Sequence, residues 1–158
     1  MRIISEEAEA KNISDNALID SILQKWVIFD RHLEDYPLFV VSQSIITSLL
    51  DKISIEDISE IGYSHGSTTP RSVFIMQGFF EPTVDSVIWF LENNHAKYSK
   101  WFTMNHHIVD GKNMIHLRHN AGAKWSRFLS TYMKGLFMSV LDQEIEVEET
   151  SFYVNIRV

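Results

Sequence analysis

The stretch from Trp125 to Leu141 constrains the fold more than any other part of this chain. Trp125, Phe128, Leu129, Tyr132, Met133, Leu136, Phe137, Val140 and Leu141 recur at three- and four-residue steps, so a helix here carries an unbroken apolar stripe. A stripe of about five turns must be covered, and the flanking segments offer the cover. Before it, Trp101 to Val109, then Asp110-Gly111-Lys112-Asn113, then Met114 to His119 read as a hairpin, because Asp-Gly supplies the positive φ of a tight turn. After it, residues 143–148 read Gln-Glu-Ile-Glu-Val-Glu. Phe152, Val154, Ile156 and Val158 then alternate with Tyr153, Asn155 and Arg157, beyond a turn at Glu149-Thr150-Ser151. The expected class is α+β: an N-terminal helical layer followed by ββαββ, with a four-stranded antiparallel sheet packed on the long helix.

The helical layer is expected over about residues 15–95 and the sheet-plus-helix half over about 100–158, together one domain of ordinary size. Residues 1–14 are acidic and polar without sustained periodicity and read as a flexible arm. Leu18, Ile19, Ile22, Trp26 and Phe29 lie on one helical face that should be buried, with Ser14 or Asp15 as cap. Tyr36-Pro37 breaks the pattern, and Leu38 to Val41 reads as a short extended run. Ser42 or Ser44 can cap a helix carrying Ile45, Ile46, Leu49 and Leu50. Ser54 with Asp57 starts another through Ile55, Ile58 and Ile61, which Gly62 should stop. Gly66 to Pro70 reads as a loop, with Pro70 opening a helix through Val73, Ile75, Met76 and Phe79, or alternatively a strand. Thr83 can cap a further helix bearing Val84, Val87, Ile88 and Leu91, ended by Asn93-Asn94.

Composition excludes more than it selects. Apolar residues at 45% and charged ones at 22% are ordinary for a globular protein, which sets aside disordered, collagen-like and coiled-coil chains. Without cysteine there is no disulfide, thiolate metal site, iron–sulfur cluster or cysteine nucleophile. A net charge of −7 argues against direct nucleic-acid binding. No apolar run approaches the roughly 20 residues of a membrane span, and Ser5-Glu6-Glu7 follows the start too closely for a signal peptide. A cytoplasmic protein without membrane contact is the expectation.

The charge is unevenly placed. Residues 1–92 hold 6 basic and 15 acidic groups, residues 93–134 hold 7 and 1, and residues 135–158 hold 1 and 5. The basic island of Lys97, Lys100, Lys112, Arg118, Lys124, Arg127 and Lys134 also contains five of the seven histidines. It reads either as ordinary solvated charge or as a site for a small anion or acidic partner. Glu144, Glu146 and Glu148 share one face of a strand; they blunt a sheet edge or meet the basic island of a second copy, which favours a homodimer.

Two places could carry chemistry. With a four-residue loop from Asp110 to Asn113, His107 faces His116, and a one-residue slip pairs His106 with His116 instead. His106, His107 and His116 are therefore candidate ligands for one divalent metal if a carboxylate or another imidazole joins them, although no HxH or HExxH motif accompanies them. The second place is His119-Asn120-Ala121-Gly122-Ala123-Lys124-Trp125, where a strand ends and the long helix begins. Asn120 can cap that helix, and Gly122 permits close approach or simply tight helix–sheet packing. Arg118, His119, Asn120, Gly122 and Lys124 beside a helix N-terminus form a candidate carboxylate or phosphate clamp. Neither GxxxxGK[ST] nor GxGxxG occurs, so nucleotide chemistry has no motif behind it.

The remaining histidines read more plainly. A Ser67–His65 nucleophilic pair lacks a GxSxG elbow and an orienting acid. His32 and His95 sit at expected helix ends, where the dipole favours a cationic imidazole. Phe79-Phe80, Trp89-Phe90 and Trp101-Phe102 are adjacent aromatic pairs; one member of each needs cover in a core, a ligand pocket or a dimer interface.

The segment His116-Leu-Arg-His-Asn-Ala-Gly-Ala-Lys-Trp-Ser-Arg-Phe-Leu129 resembles a group of small archaeal proteins whose second half reads strand, H-x-x-G-x-x-W-S-x-F-L, helix, hairpin. The likeness follows element order over residues 38–158 but residues only in this stretch. It implies a sensor or regulatory module. In some members a separate DNA-binding segment is present, but residues 1–35 here are acidic and carry no basic ribbon. At topology level the ending is also similar to four-vinyl-reductase-like ligand-binding domains. The resulting expectation is a small regulatory ligand-binding module, acting as a homodimer on a small anion, with no catalytic residues. The alternatives are a metal-dependent enzyme using His106, His107, His116 and His119, or a purely structural interaction domain.

Overall fold

The computed structural model describes residues 2–33, 41–76 and 78–158, and the chain divides into two compact units, residues 1–38 and 39–158. In the first unit, α1 (Arg2–Ala10) is followed by α2 (Asp15–Lys25), a π-helical turn (Trp26–Asp30) and α3 (Arg31–Leu33). The arm expected over residues 1–14 is thus largely helical. Ala8 at 1% exposure and Leu18 at 5% give α1 and α2 a small shared core, and the Ser14 hydroxyl caps α2 by accepting the Ala17 N–H at 3.2 Å. The face expected to be buried is mostly open: Ile22 is 52% and Trp26 50% exposed. Fewer than about 40 residues cannot enclose a core of their own. The Tyr36-Pro37 break and the extended run from Leu38 lie outside the described residues, apart from Val41.

The second unit holds α4 (Gln43–Leu50), α5 (Ile55–Met76), α6 (Val84–Phe90), a π-helical segment (Leu91–Tyr98), β1 (Thr103–Val109), β2 (Lys112–Arg118), α7 (Ala123–Leu141), β3 (Glu146–Glu149) and β4 (Tyr153–Arg157). The ββαββ half stands as read from the sequence. Its antiparallel sheet has the order β1-β2-β4-β3, with β2 and β4 central. Ile115, Leu117, Val154 and Ile156 on the inner face are fully buried with Leu129, Met133, Leu136 and Phe137 of α7. Each such side chain stabilises the fold by roughly 1.5–3 kcal/mol. Among the described residues no helix is long and apolar enough to cross a membrane.

Helix α5 corrects the sequence reading. It runs without a break through Gly62, Gly66 and Pro70, where a stop and a loop were expected. The glycines serve a different purpose. A Cβ on Gly66 would strike the Tyr132 carbonyl, one on Gly62 the Phe128 carbonyl and Thr131 hydroxyl, and one on Gly135 the Tyr63 carbonyl. Gly62 and Gly66, one turn apart, let the α5 backbone press against that of α7, and Gly135 returns the fit. The polar residues that resembled a loop are absorbed by the helix. The hydroxyls of Ser67, Thr68 and Ser72 donate to carbonyls four residues back.

Thr83 caps α6 in a reciprocal capping box with Ser86. The stop expected at Asn93-Asn94 is also overturned. The chain widens into the π-helical segment and turns Asn94 and His95 inward, to 5% and 7% exposure. π-Helical turns are rare and are frequent at functional sites.

Candidate functional site

The first hairpin sets the positions of three histidines. Asp110 and Gly111 have φ of 50° and 77°, which makes a two-residue type I′ turn in place of the expected four-residue loop. Asn105 consequently faces His116, His106 faces Ile115 and His107 faces Met114. The register differs from the expected one by two residues, so each side chain keeps its face. His107 and His116 share the outer face with rings stacked at 4.9 Å, and His116 Nδ1–H donates to Asn155 Oδ1 at 2.8 Å. His106 lies on the opposite face, where its Nε2–H donates to Asn113 Oδ1 at 2.8 Å. The sheet therefore separates the three candidate ligands. Among the described residues no three His, Asp or Glu side chains gather closely enough to hold a metal ion.

The corner after β2 is a lock between strand and helix. His119, 5% exposed, accepts the Ala121 N–H on Nδ1 at 3.2 Å, which fixes its own proton on Nε2. That proton is donated to Ser126 Oγ at 2.9 Å. Burial lowers the His119 pKa and keeps the ring neutral. Because the imidazole donates to the hydroxyl, it does not activate Ser126 as a nucleophile. Gly122, not Asn120, is the N-cap of α7, with φ 82° and ψ 176°. A Cβ there would meet nothing, so the backbone angle calls for glycine and close packing does not.

Lys124 leaves the corner altogether. Its ammonium donates to the carbonyls of Leu50 at 2.9 Å, Asp51 at 3.1 Å and Ile53 at 2.6 Å, closing the C-terminal end of α4. Trp125 Nε1–H donates to the Trp101 carbonyl at 3.3 Å. Of the expected clamp, Gly122 and Lys124 are thus structural, while Arg118, His119 and Asn120 line a cleft of about 670 Å³. Arg118 and Asn120 are exposed there.

The opposite wall is the π-helical segment and the residues after it. Lys97 and Lys100 bring two further cations, and Glu92 is the one acid lining the cleft. Lys97 also lies 5.2 Å from the Tyr98 ring centre. Lys100 is held at φ 57°, a left-handed conformation that costs a non-glycine residue about 1–2 kcal/mol. Trp89, Trp101 and Met104 supply apolar lining. Neither Lys97, Lys100 nor Arg118 forms an ion pair among the described residues.

Beneath this wall His95 Nε2 lies 2.7 Å from the Tyr132 hydroxyl. Burial is the main force that pushes the His95 pKa down to about 3, with His65 adding to it and the Phe90 carbonyl opposing it. Burial raises the Tyr132 pKa, so the pair is uncharged. The Phe90 carbonyl favours a proton on Nδ1 without a hydrogen bond of good geometry, so Nε2 accepts from the phenol. Trp101 packs edge-on against this imidazole at 4.6 Å. His95 is therefore a core group and not a helix-end cation. His65, half-buried with its pKa lowered by burial, faces the rings of Trp101 and Tyr132. The imagined Ser67–His65 pair does not form, since Ser67 donates to the Tyr63 carbonyl at 2.8 Å.

Sequence reasoning missed Lys97 and Lys100 as partners of Arg118, although all three belong to the basic island it identified. The missing signal is the π-helical segment, which a 3.6-residue period cannot reveal. No protein-family model, curated protein or solved structure matches the chain.

Proposed function

We propose that this chain is a small regulatory module that binds an anionic ligand in the cleft between the π-helical segment and the start of the sheet, and that it works as a homodimer. The observation that carries the reading is the set of Lys97, Lys100 and Arg118 around one cleft with Glu92 as the only opposing charge. Hydrogen bonds to charged groups contribute roughly 1.5–3 kcal/mol each, enough for three cations to hold a carboxylate or phosphate. Trp89, Trp101 and Met104 give an apolar body on that ligand a surface to rest on.

Regulation follows from what the cleft touches. Its wall is a π-helical segment, and a ligand that binds this arrangement and its α-helical alternative with different affinity shifts the population between them. The His119 lock carries that change to the start of α7. The edge strand β1, which carries no Lys, Arg, Asp, Glu or Pro, supports association of two copies.

Titration of the full chain with inorganic phosphate, acetate and benzoate, followed by tryptophan fluorescence and melting temperature, tests the reading. Saturable quenching and a raised melting temperature with at least one of them are expected. No response to any of the three overturns it.

A further inference from the structure

We infer that β1 is the dimer interface: two copies pair antiparallel along this strand, and each places its hairpin tip against the other's cleft. The inference rests on the homodimer reading above and names its surface.

The backbone defines which groups are free. The N–H groups of Asn113 and His119 donate to Val158 and Phe152 carbonyls beside β4, so the odd-numbered residues of β2 point their main chain toward β4. The even-numbered ones then serve β1, where they face Thr103, Asn105, His107 and Val109. Met104, His106 and Ile108 are left with N–H and C=O groups directed outward. Among the described residues β1 pairs with β2 alone, and Asn105 to Val109 are all exposed.

Natural sheets blunt such an edge with Lys, Pro, inward charges or bulges. Thr-Met-Asn-His-His-Ile-Val has no Lys, Arg, Asp, Glu or Pro, whereas the other edge, β3, reads Glu-Val-Glu-Glu and would repel its own copy. Charge thus selects β1 and refuses β3.

The strand is also complementary to itself. About a two-fold axis at His106, perpendicular to the sheet, Met104 falls opposite Ile108 of the second copy, Asn105 opposite His107, and Thr103 opposite Val109. On the inner face Met104 meets Ile108 on either side of the His106 pair, on the outer face Asn105 meets His107, and the outward main-chain groups of Met104, His106 and Ile108 find one another. Full overlap runs about 23 Å. Ile108, 67% exposed in one copy, is covered by this pairing and lies beside Met104, a residue of the cleft wall. The second copy thereby completes that wall.

The chain has no cysteine, which makes the test direct. Analytical ultracentrifugation of the full chain at micromolar concentration is expected to show a dimer. His106→Pro removes the outward N–H and, with the imidazole, the exposed bond to Asn113 Oδ1, and Ile108→Lys puts a charge opposite Met104 of the second copy. Each is expected to raise the dimer dissociation constant at least tenfold while leaving the far-ultraviolet circular dichroism unchanged. Opposed residues in such a pair have Cα atoms about 5.5 Å apart, within the span of a disulfide. Oxidation of His106→Cys with diamide is therefore expected to give a covalent dimer, and His107→Cys, offset and on the other face, is not. A dimer that survives both substitutions, with His106→Cys left uncrosslinked, overturns the β1 interface and leaves the homodimer reading intact. A wild-type monomer at every concentration overturns both. Should either edge substitution unfold the chain, the crosslinking result decides.

Discussion

His119 Nε2 lies 2.9 Å from Ser126 Oγ, and this buried contact ties the end of β2 to the first turn of α7. With the Ala121 N–H on Nδ1 the imidazole is satisfied at both nitrogens, so Arg118 and Asn120 on either side are held at the cleft by a rigid neighbour. Ser126→Ala leaves a buried N–H without an acceptor. A loss of roughly 1–3 kcal/mol in urea unfolding is expected. An unchanged midpoint would show that the contact contributes nothing.

Gly66→Ala puts a methyl group into the Tyr132 carbonyl across the α5–α7 contact. Because the obstacle is backbone, neither helix can relax locally, and a loss of about 3 kcal/mol or more is expected. Ser64→Ala, on the exposed side of α5, is the control and is expected to stay within about 0.5 kcal/mol of wild type. Differential scanning calorimetry of the two variants checks the contrast.

His95 is neutral in the folded chain down to about pH 3, whereas an unfolded histidine takes its proton near pH 6.5. Between those values the unfolded state binds the extra proton. The contribution is therefore full above about pH 6.5 and is lost as pH falls toward 3, at up to about 1.4 kcal/mol per pH unit. His65 and His119, also lowered by burial, act in the same direction. Urea unfolding at pH 7 and pH 5.5 is expected to show the loss, and His95→Gln to reduce it. An equal slope in wild type and variant would remove His95 from the account.

Lys124→Met separates structure from binding at the same corner. The ammonium serves three carbonyls at the end of α4, so its removal is expected to cost roughly 1–3 kcal/mol of stability. Anion binding by the folded variant is expected to be unchanged. Weaker binding at equal stability would return Lys124 to the ligand site.

Elements whose periodicity and turn chemistry agree could be read directly. The nine-residue apolar stripe of α7, the Asp110-Gly111 turn and the alternation around Val154 and Ile156 each point to one structure, and those elements were legible in the sequence. Gly62 and Gly66 were misread because the same residues that end helices also permit two helix backbones to touch, and only the α7 surface decides between the two. The hairpin kept its faces but not its loop length, since positive φ at Asp110 as well as Gly111 closes a shorter turn. Arg118, His119 and Asn120, singled out for their place between strand and helix, do line the cleft. Lys97 and Lys100 required the π-helical segment, and Lys124 was assigned wrongly because its partners lie more than 70 residues away.

Isothermal titration of the full chain with inorganic phosphate measures the central claim most directly, because phosphate presents only the charge that Lys97, Lys100 and Arg118 are placed to meet. The account predicts saturable binding with one site per chain, weakened at least about tenfold by Arg118→Ala and untouched by Lys124→Met. Heat that never saturates, with phosphate or with acetate or benzoate in its place, or an affinity indifferent to Arg118→Ala, would contradict it.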